Sequence, residues 1–144
     1  MALSYVTYQR LLEQEYPQLL HNRLKQIMVV ESDGPKAKQE LSDCRAAWEI
    51  SGRTWGNILA LHARLAAALK QIEATKTSVD QSLADLDSMA TRYAGLLADL
   101  ETETKDNPSN QRAKGWKQAA DEIRSEHQLL RLRAAAVKTL LEQV

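Results

Sequence analysis

The chain contains no phenylalanine and one cysteine, Cys44, among its 144 residues. A single thiol cannot close an internal disulfide, and without a Cys-x-x-Cys pair there is no zinc knuckle or redox motif. A reducing compartment is therefore expected. Charge of one sign is missing as well, because nineteen basic residues balance nineteen acidic ones. No net field draws such a protein toward nucleic acid or an anionic membrane. By segment, residues 1–50 carry six basic and seven acidic side chains (−1), 51–104 five and seven (−2), and 105–144 eight and five (+3). That +3 is too weak to select a partner. The longest stretch free of Lys, Arg, Asp and Glu is ten residues, Thr54 to Ala63, about half the length of a membrane-spanning helix. The start, MALSYVTYQR, lacks the basic opening and long apolar run of a signal peptide. A cytoplasmic protein without membrane insertion is expected.

Catalytic patterns are equally scarce. Three residues before His21, His62 and His127 stand Gln18, Leu59 and Arg124, so the Glu-x-x-His pair of di-iron bundles is missing. So are the His-Glu-x-x-His zinc motif, the Gly-x-x-x-x-Gly-Lys phosphate loop, Gly-x-Gly-x-x-Gly and the Gly-x-Ser-x-Gly elbow. Cys44 lies on an apolar stripe, where a thiol behaves as a small hydrophobe and not as a nucleophile. The expectation is a protein that is not an enzyme, with no catalytic residue, no metal and no cofactor.

What is abundant is Leu, Ala, Gln, Glu and Lys, a composition that favours helix. Five glycines and three prolines punctuate it. In SDGPK (32–36) a flexible Gly precedes a Pro suited to a first helical turn, and in KDNPSNQ (105–111) Asn107 suits an N-cap with Pro108 behind it. Read as turns, they predict an all-α chain, a single domain over 1–144, with helices at about 4–31, 35–104 and 108–143. Pro17 predicts a kink or short break. Gly52 and Gly56 each cost about 1 kcal/mol in a helix interior and mark a candidate hinge.

Alternating steps of three and four from Ala37 run through Leu41, Cys44, Trp48, Ser51, Trp55, Ile58, His62, Leu65, Leu69, Ile72, Lys76, Val79, Leu83, Leu86, Ala90, Tyr93, Leu97, Leu100 and Thr104. The phase survives both glycines, which argues for one central helix of about 105 Å, at about 1.5 Å per residue. The third segment continues the spacing with Trp116, Ala120, Ile123, His127, Leu130, Ala134, Val137, Leu141 and Val144, and the first with Tyr5, Tyr8, Leu12, Tyr16, Leu20, Leu24 and Ile27. Short turns would fold the first segment along Ala37 to about His62, and the third along the end of the long helix. The expected architecture is an elongated pair of antiparallel coiled-coil hairpins sharing the central helix. The alternative is a four-helix bundle broken near Gly52.

Lys76 is the odd member of that stripe, in a polar cluster with Thr75, Thr77 and Ser78. Either its stem lies on the seam with the ammonium in water, or it marks the join of the hairpins, where an acidic group docks. Trp48, Trp55 and Trp116 fit a helical core, while tryptophan at Trp48 or Trp55 also suits a binding hot spot. A second apolar set, Leu59, Leu61, Ala66, Ala68, Leu96, Leu129, Leu132, Ala136 and Leu140, widens the stripes beyond a two-helix seam. The functional expectation is a non-catalytic helical scaffold or adaptor subunit that joins other helical proteins, as hetero- or homo-oligomer. Its candidate partner-binding residues are Trp48, Trp55, Lys76, Leu132 and Leu140. The alternative is a self-contained bundle that recognises a peptide or nucleic acid. The cations of the last segment, Lys105, Arg112, Lys114, Lys117, Arg124, Arg131, Arg133 and Lys138, are the footing for nucleic acid or a microtubule. They are spread around the helix and interrupted by Asp121, Glu122 and Glu126, as a solvated face would be.

Overall fold

The phase of the apolar stripe and the proline positions decide where the helices run. The computed structural model describes residues 5–51 and 54–143, so the hinge expected at Gly52 and the seam position Val144 lie outside the described residues. Every described element is helical: α1 (Tyr5–Arg10), a π-helical turn (Leu11–Glu15), α2 (Tyr16–Ser51), α3 (Trp55–Asp106) and α4 (Gln111–Glu142). The all-α class holds, with three long helices, no strand among the described residues, and none of those helices long and apolar enough to cross a membrane.

The helix boundaries correct the expected 4–31, 35–104 and 108–143. α2 passes straight through SDGPK, with Pro35 in its interior, and no glycine among the described residues has a positive φ. Ile27, Val30, Gly34, Ala37, Leu41 and Cys44 keep one unbroken three-and-four spacing across that stretch, and all are buried. Packing on both sides of Pro35 outweighs the hydrogen bond its missing N–H forfeits. Gly34 serves this arrangement twice. Without a Cβ it avoids the clash that a following proline imposes in helical backbone. It also lets α4 come close, since a Cβ built there would lie 3.1 Å from Val137 Cγ1.

The chain separates instead between Ser51 and Trp55, where the four-helix alternative placed its break, and the unbroken rod over 37–104 is not formed. With no break at 32–36, the long helices number three and not four. Thr54 supplies the carbonyl that opens α3, accepting the Ile58 N–H at 2.9 Å. The Asn57 amide donates to the Ser51 carbonyl at 3.0 Å, satisfying one orphan acceptor at the end of α2. Before α4 the cap is Asn110, whose Oδ1 accepts the Ala113 N–H at 3.1 Å. Pro108 sits in the turn closed by Asn110 N–H to the Asn107 carbonyl at 3.1 Å. The capping chemistry expected at Asn107 thus operates three residues on.

Pro17 sits in the first turn of α2, just past the π turn, in which the Tyr16 N–H bonds to the Leu11 carbonyl five residues back. Widening the turn moves the preceding carbonyls away from the proline ring, so the expected kink takes the form of a π bulge.

Contacts group the chain into two compact units, Met1–Gln26 with Leu83–Leu132, and Ile27–Ser82 with Arg133–Val144. In the first, Tyr8 donates to the Leu96 carbonyl (2.9 Å) and stacks on Trp116 (centroids 5.5 Å apart). Tyr16 meets Tyr93 at 4.8 Å, and Arg23 pairs with Asp85. The opening of the chain therefore lines the far end of α3, not Ala37 to His62 as expected, because α2 is too long to turn back early.

In the second unit α2 and α3 run antiparallel, clamped by a forked Arg64–Glu40 pair at 2.5 and 3.1 Å. The end of α4 joins them through a fork from Arg133 to Glu31 at 2.5 and 2.9 Å, and through Lys138–Asp80 at 3.1 Å. These guanidinium hydrogen bonds hold the Glu31 and Glu40 carboxyls below their ordinary range.

The buried row of α3 includes Ala68, Ile72, Thr75, Val79, Ser82, Leu86, Met89 and Tyr93. It shares every second position with the counted stripe but takes Ala68, Thr75, Ser82 and Met89 where the count took Leu69, Lys76, Leu83 and Ala90. Thr75 and Ser82 enter the core because each hydroxyl donates to the carbonyl four residues back, Gln71 at 2.9 Å and Ser78 at 3.0 Å.

Candidate partner-binding face

Lys76, with its ion pair to Glu73 at 3.5 Å, marks the edge of the seam and not its floor. Its side chain is about a third exposed, the arrangement in which the stem is covered and the ammonium reaches water. In the second unit it also marks where α4 runs out. With Lys138 beside Asp80, four residues forward along α4 reach its last residue, Glu142, and four back along α3 reach Lys76.

Beyond that level α2 and α3 pair as two helices. Between them opens a groove of about 310 Å³, with Cys44 and Leu61 at its floor and Arg45, Trp48, Glu49, His62 and Leu65 around it. Trp48 is 45% exposed and Trp55 73%, with Ile50, Leu59 and Leu69 also open to solvent. Burial and the Glu40 carboxylate, which accepts from Sγ at 3.5 Å, push the Cys44 thiol up, so it stays protonated.

The sequence-derived residues divide accordingly. Trp48 stands at this groove, Trp55 opens α3 at its far end, and Lys76 bounds it below. Leu140 is half-buried toward α2, with Cδ2 3.8 Å from a Cβ built at Gly34, and so serves the bundle. Leu132 is 67% exposed, on the stretch of α4 belonging to the first unit, near the exposed Leu129. Ile50 escaped the sequence reading, since it lies off the counted stripe. Leu69 was counted inward, and only the order of the three and four steps reveals it as exposed. Of the tryptophans only Trp116 is core. Acrylamide should therefore quench most of the indole emission, and a Trp48→Phe/Trp55→Phe double variant should leave a blue-shifted, protected signal. A uniformly blue, protected spectrum in the parent chain would contradict this placement.

The histidines also separate. His21 and His62 are exposed, and His127 is buried in the first unit, its Nδ1 3.4 Å from the Tyr16 hydroxyl. Desolvation lowers its pKa below the ordinary 6.5. A base whose folded pKa is depressed takes up its proton more readily when unfolded, so its contribution to stability is intact above 6.5 and is lost as pH falls below that value. Thermal melts should show a drop in Tm on acidification through this window, and His127→Gln should lack that step.

Among the described residues no three His, Cys, Asp or Glu side chains gather as a metal site requires. Five cations of the last segment are already paired: Lys117 and Arg124 with Asp121, Arg131 with Asp87, Arg133 with Glu31, and Lys138 with Asp80. Arg131, Arg133 and Lys138 fasten α4 to α3 and α2, while Lys117 and Arg124 pair within α4 itself. Compared with models of protein families, with curated proteins and with solved structures, the chain matches none.

Proposed function

We propose that the protein is a non-catalytic helical adaptor, a subunit that helps assemble a multi-protein complex by packing helices of other chains against its own in coiled-coil fashion. The observation that supports this most is the set of exposed Trp48, Trp55, Leu59 and Leu69 where α2 and α3 pair beyond the end of α4. Large apolar side chains grouped on one surface mark interaction sites, and tryptophan is enriched among the residues that dominate binding energy. The groove's thiol is pushed up by burial and by the Glu40 carboxylate, which fits binding better than nucleophilic chemistry. In this reading the subunit works inside the cell, where a lone thiol stays reduced.

The test is affinity purification of the tagged full chain from its native cell, with the mass of the eluted particle measured by light scattering. Stoichiometric co-elution of other helical chains is expected. Elution at the mass of one chain, with no stoichiometric companion, would sink the adaptor reading.

A further inference from the structure

The seam that α4 occupies in the second unit continues past the end of α4. There α4 meets Glu31 and Gly34 on α2 and Asp80 on α3. Seven residues return a helix to within about 20° of the same direction. Along α2, seven-residue steps lead from Glu31 to Lys38 and Arg45, and from Gly34 to Leu41 and Trp48. Along α3 they lead back from Asp80 to Glu73, and from Lys76 to Leu69, His62 and Trp55. These side chains therefore face the side that α4 covers lower down. Leu69 and Trp48 are each 45% exposed there.

We infer that this groove seats a third helix from another protein: an amphipathic helix extending the line of α4, apolar at three-and-four spacing and acidic along the edge that faces Lys38 and Arg45. This rests on the adaptor reading and gives it a place and a partner chemistry. The groove is continuous with the interface α4 already makes, so its width suits one helix. Its charge differs from the part α4 fills. α4 offers Arg133 to Glu31 and Lys138 to Asp80, basic groups to acidic ones on both edges. Beyond its end the α2 edge turns cationic at Lys38 and Arg45, with the acidic Glu49 one turn further on, while the α3 edge passes from Glu73 to the apolar Ala66 and Leu59. Like charges across such an edge discriminate strongly between partners. A second copy of the chain in a two-fold contact would bring another Lys38 and Arg45 into the same patch.

The experiment titrates the full chain with two synthetic helical peptides, at concentrations where each is monomeric. Both carry leucine at the a and d positions of the heptad. One has glutamate at the flanking e positions, and the other has lysine there. The expected result is saturable binding of the glutamate peptide with a blue shift of tryptophan emission, and binding of the lysine peptide about ten-fold weaker or more. A Lys38→Glu/Arg45→Glu variant should reverse that preference. Trp48→Ala should weaken the glutamate peptide about thirty-fold, with helicity by circular dichroism unchanged.

Equal affinity for both peptides, no binding of either, or binding indifferent to Trp48→Ala and Leu69→Glu would overturn the inference. So would a dimer of the chain alone that Leu69→Glu dissociates, which would assign the face to a second copy. If the peptides fail while native companions still co-elute with the Trp48→Ala/Leu69→Glu variant, the adaptor reading stands and the groove does not. Loss of companions from the parent chain itself removes the adaptor reading.

Discussion

Ser82→Asp is expected to cost about 3–5 kcal/mol, the price of leaving a buried charge without a partner. Ser82 is fully buried on α3, and its hydroxyl is tolerated only because it donates to the Ser78 carbonyl. A carboxylate can accept but not donate, so that bond is lost as well. Burial raises the pKa of the introduced carboxyl, and the cost should therefore grow as pH rises through that value and shrink below it, where the neutral acid can still donate. The control is Ala90→Asp, at a position the plain count turned inward and the structure leaves exposed. It should change stability by no more than about 0.5 kcal/mol. Denaturant unfolding of the two variants decides the register of α3, and equal losses would contradict it.

The second large effect concerns Gly34. Gly34→Leu should destabilise by about 1–3 kcal/mol, because the added side chain must displace Val137, Leu140 and Leu141 of α4. Gly34→Ala should be close to neutral. Its gain of about 1 kcal/mol in helix propensity is offset by a Cβ 3.1 Å from Val137 Cγ1 and by the clash with Pro35. A glycine needed for a left-handed turn would behave differently, with alanine already costly there. Urea midpoints for the two substitutions separate close helix approach from turn chemistry, and an alanine variant as damaged as the leucine variant would favour the turn.

Part of this architecture was legible from the residues. On α4 the spacing from Trp116 through Leu130 to Leu141 names the buried row without error, since each step meets an apolar residue or the buried His127, and the alternative order of steps would turn the charged Glu126 and Arg133 inward. On α3 the same reasoning loses its footing at Thr75 and Lys76. Both are polar, so residue type alone cannot say whether three precedes four, and a hydroxyl enters a core that an ammonium avoids only through its back-bond to Gln71. The break was misplaced for a related reason. Continuity of phase across Gly52 and Gly56 is no stronger than across Gly34, where Ile27, Val30, Ala37 and Leu41 keep step just as well. Phase shows that two stretches share a face, and two antiparallel helices joined by a short turn can share it as readily as one rod. Of the candidate site, the two exposed tryptophans were named from their type. Their exposure depends on where α4 lies along α2 and α3, set by its pairs to Glu31 and Asp80, which no local motif encodes.

The π turn at Leu11–Glu15 has its own bearing on how the chain tolerates change. Tyr8, Leu12, Tyr16 and Leu20 are buried at intervals of four, wider than the 3.6 residues of an ordinary turn. A widened turn absorbs one surplus residue without rotating what precedes it, as an insertion scar would. Deleting a single residue between Leu11 and Glu15 would let the wide turn relax to an ordinary one and leave the Tyr8 ring facing Trp116. The same deletion further along α2 would swing every earlier side chain by about 100°. This short stretch is thus the place in the first helix where chain length can vary while the aromatic stack endures.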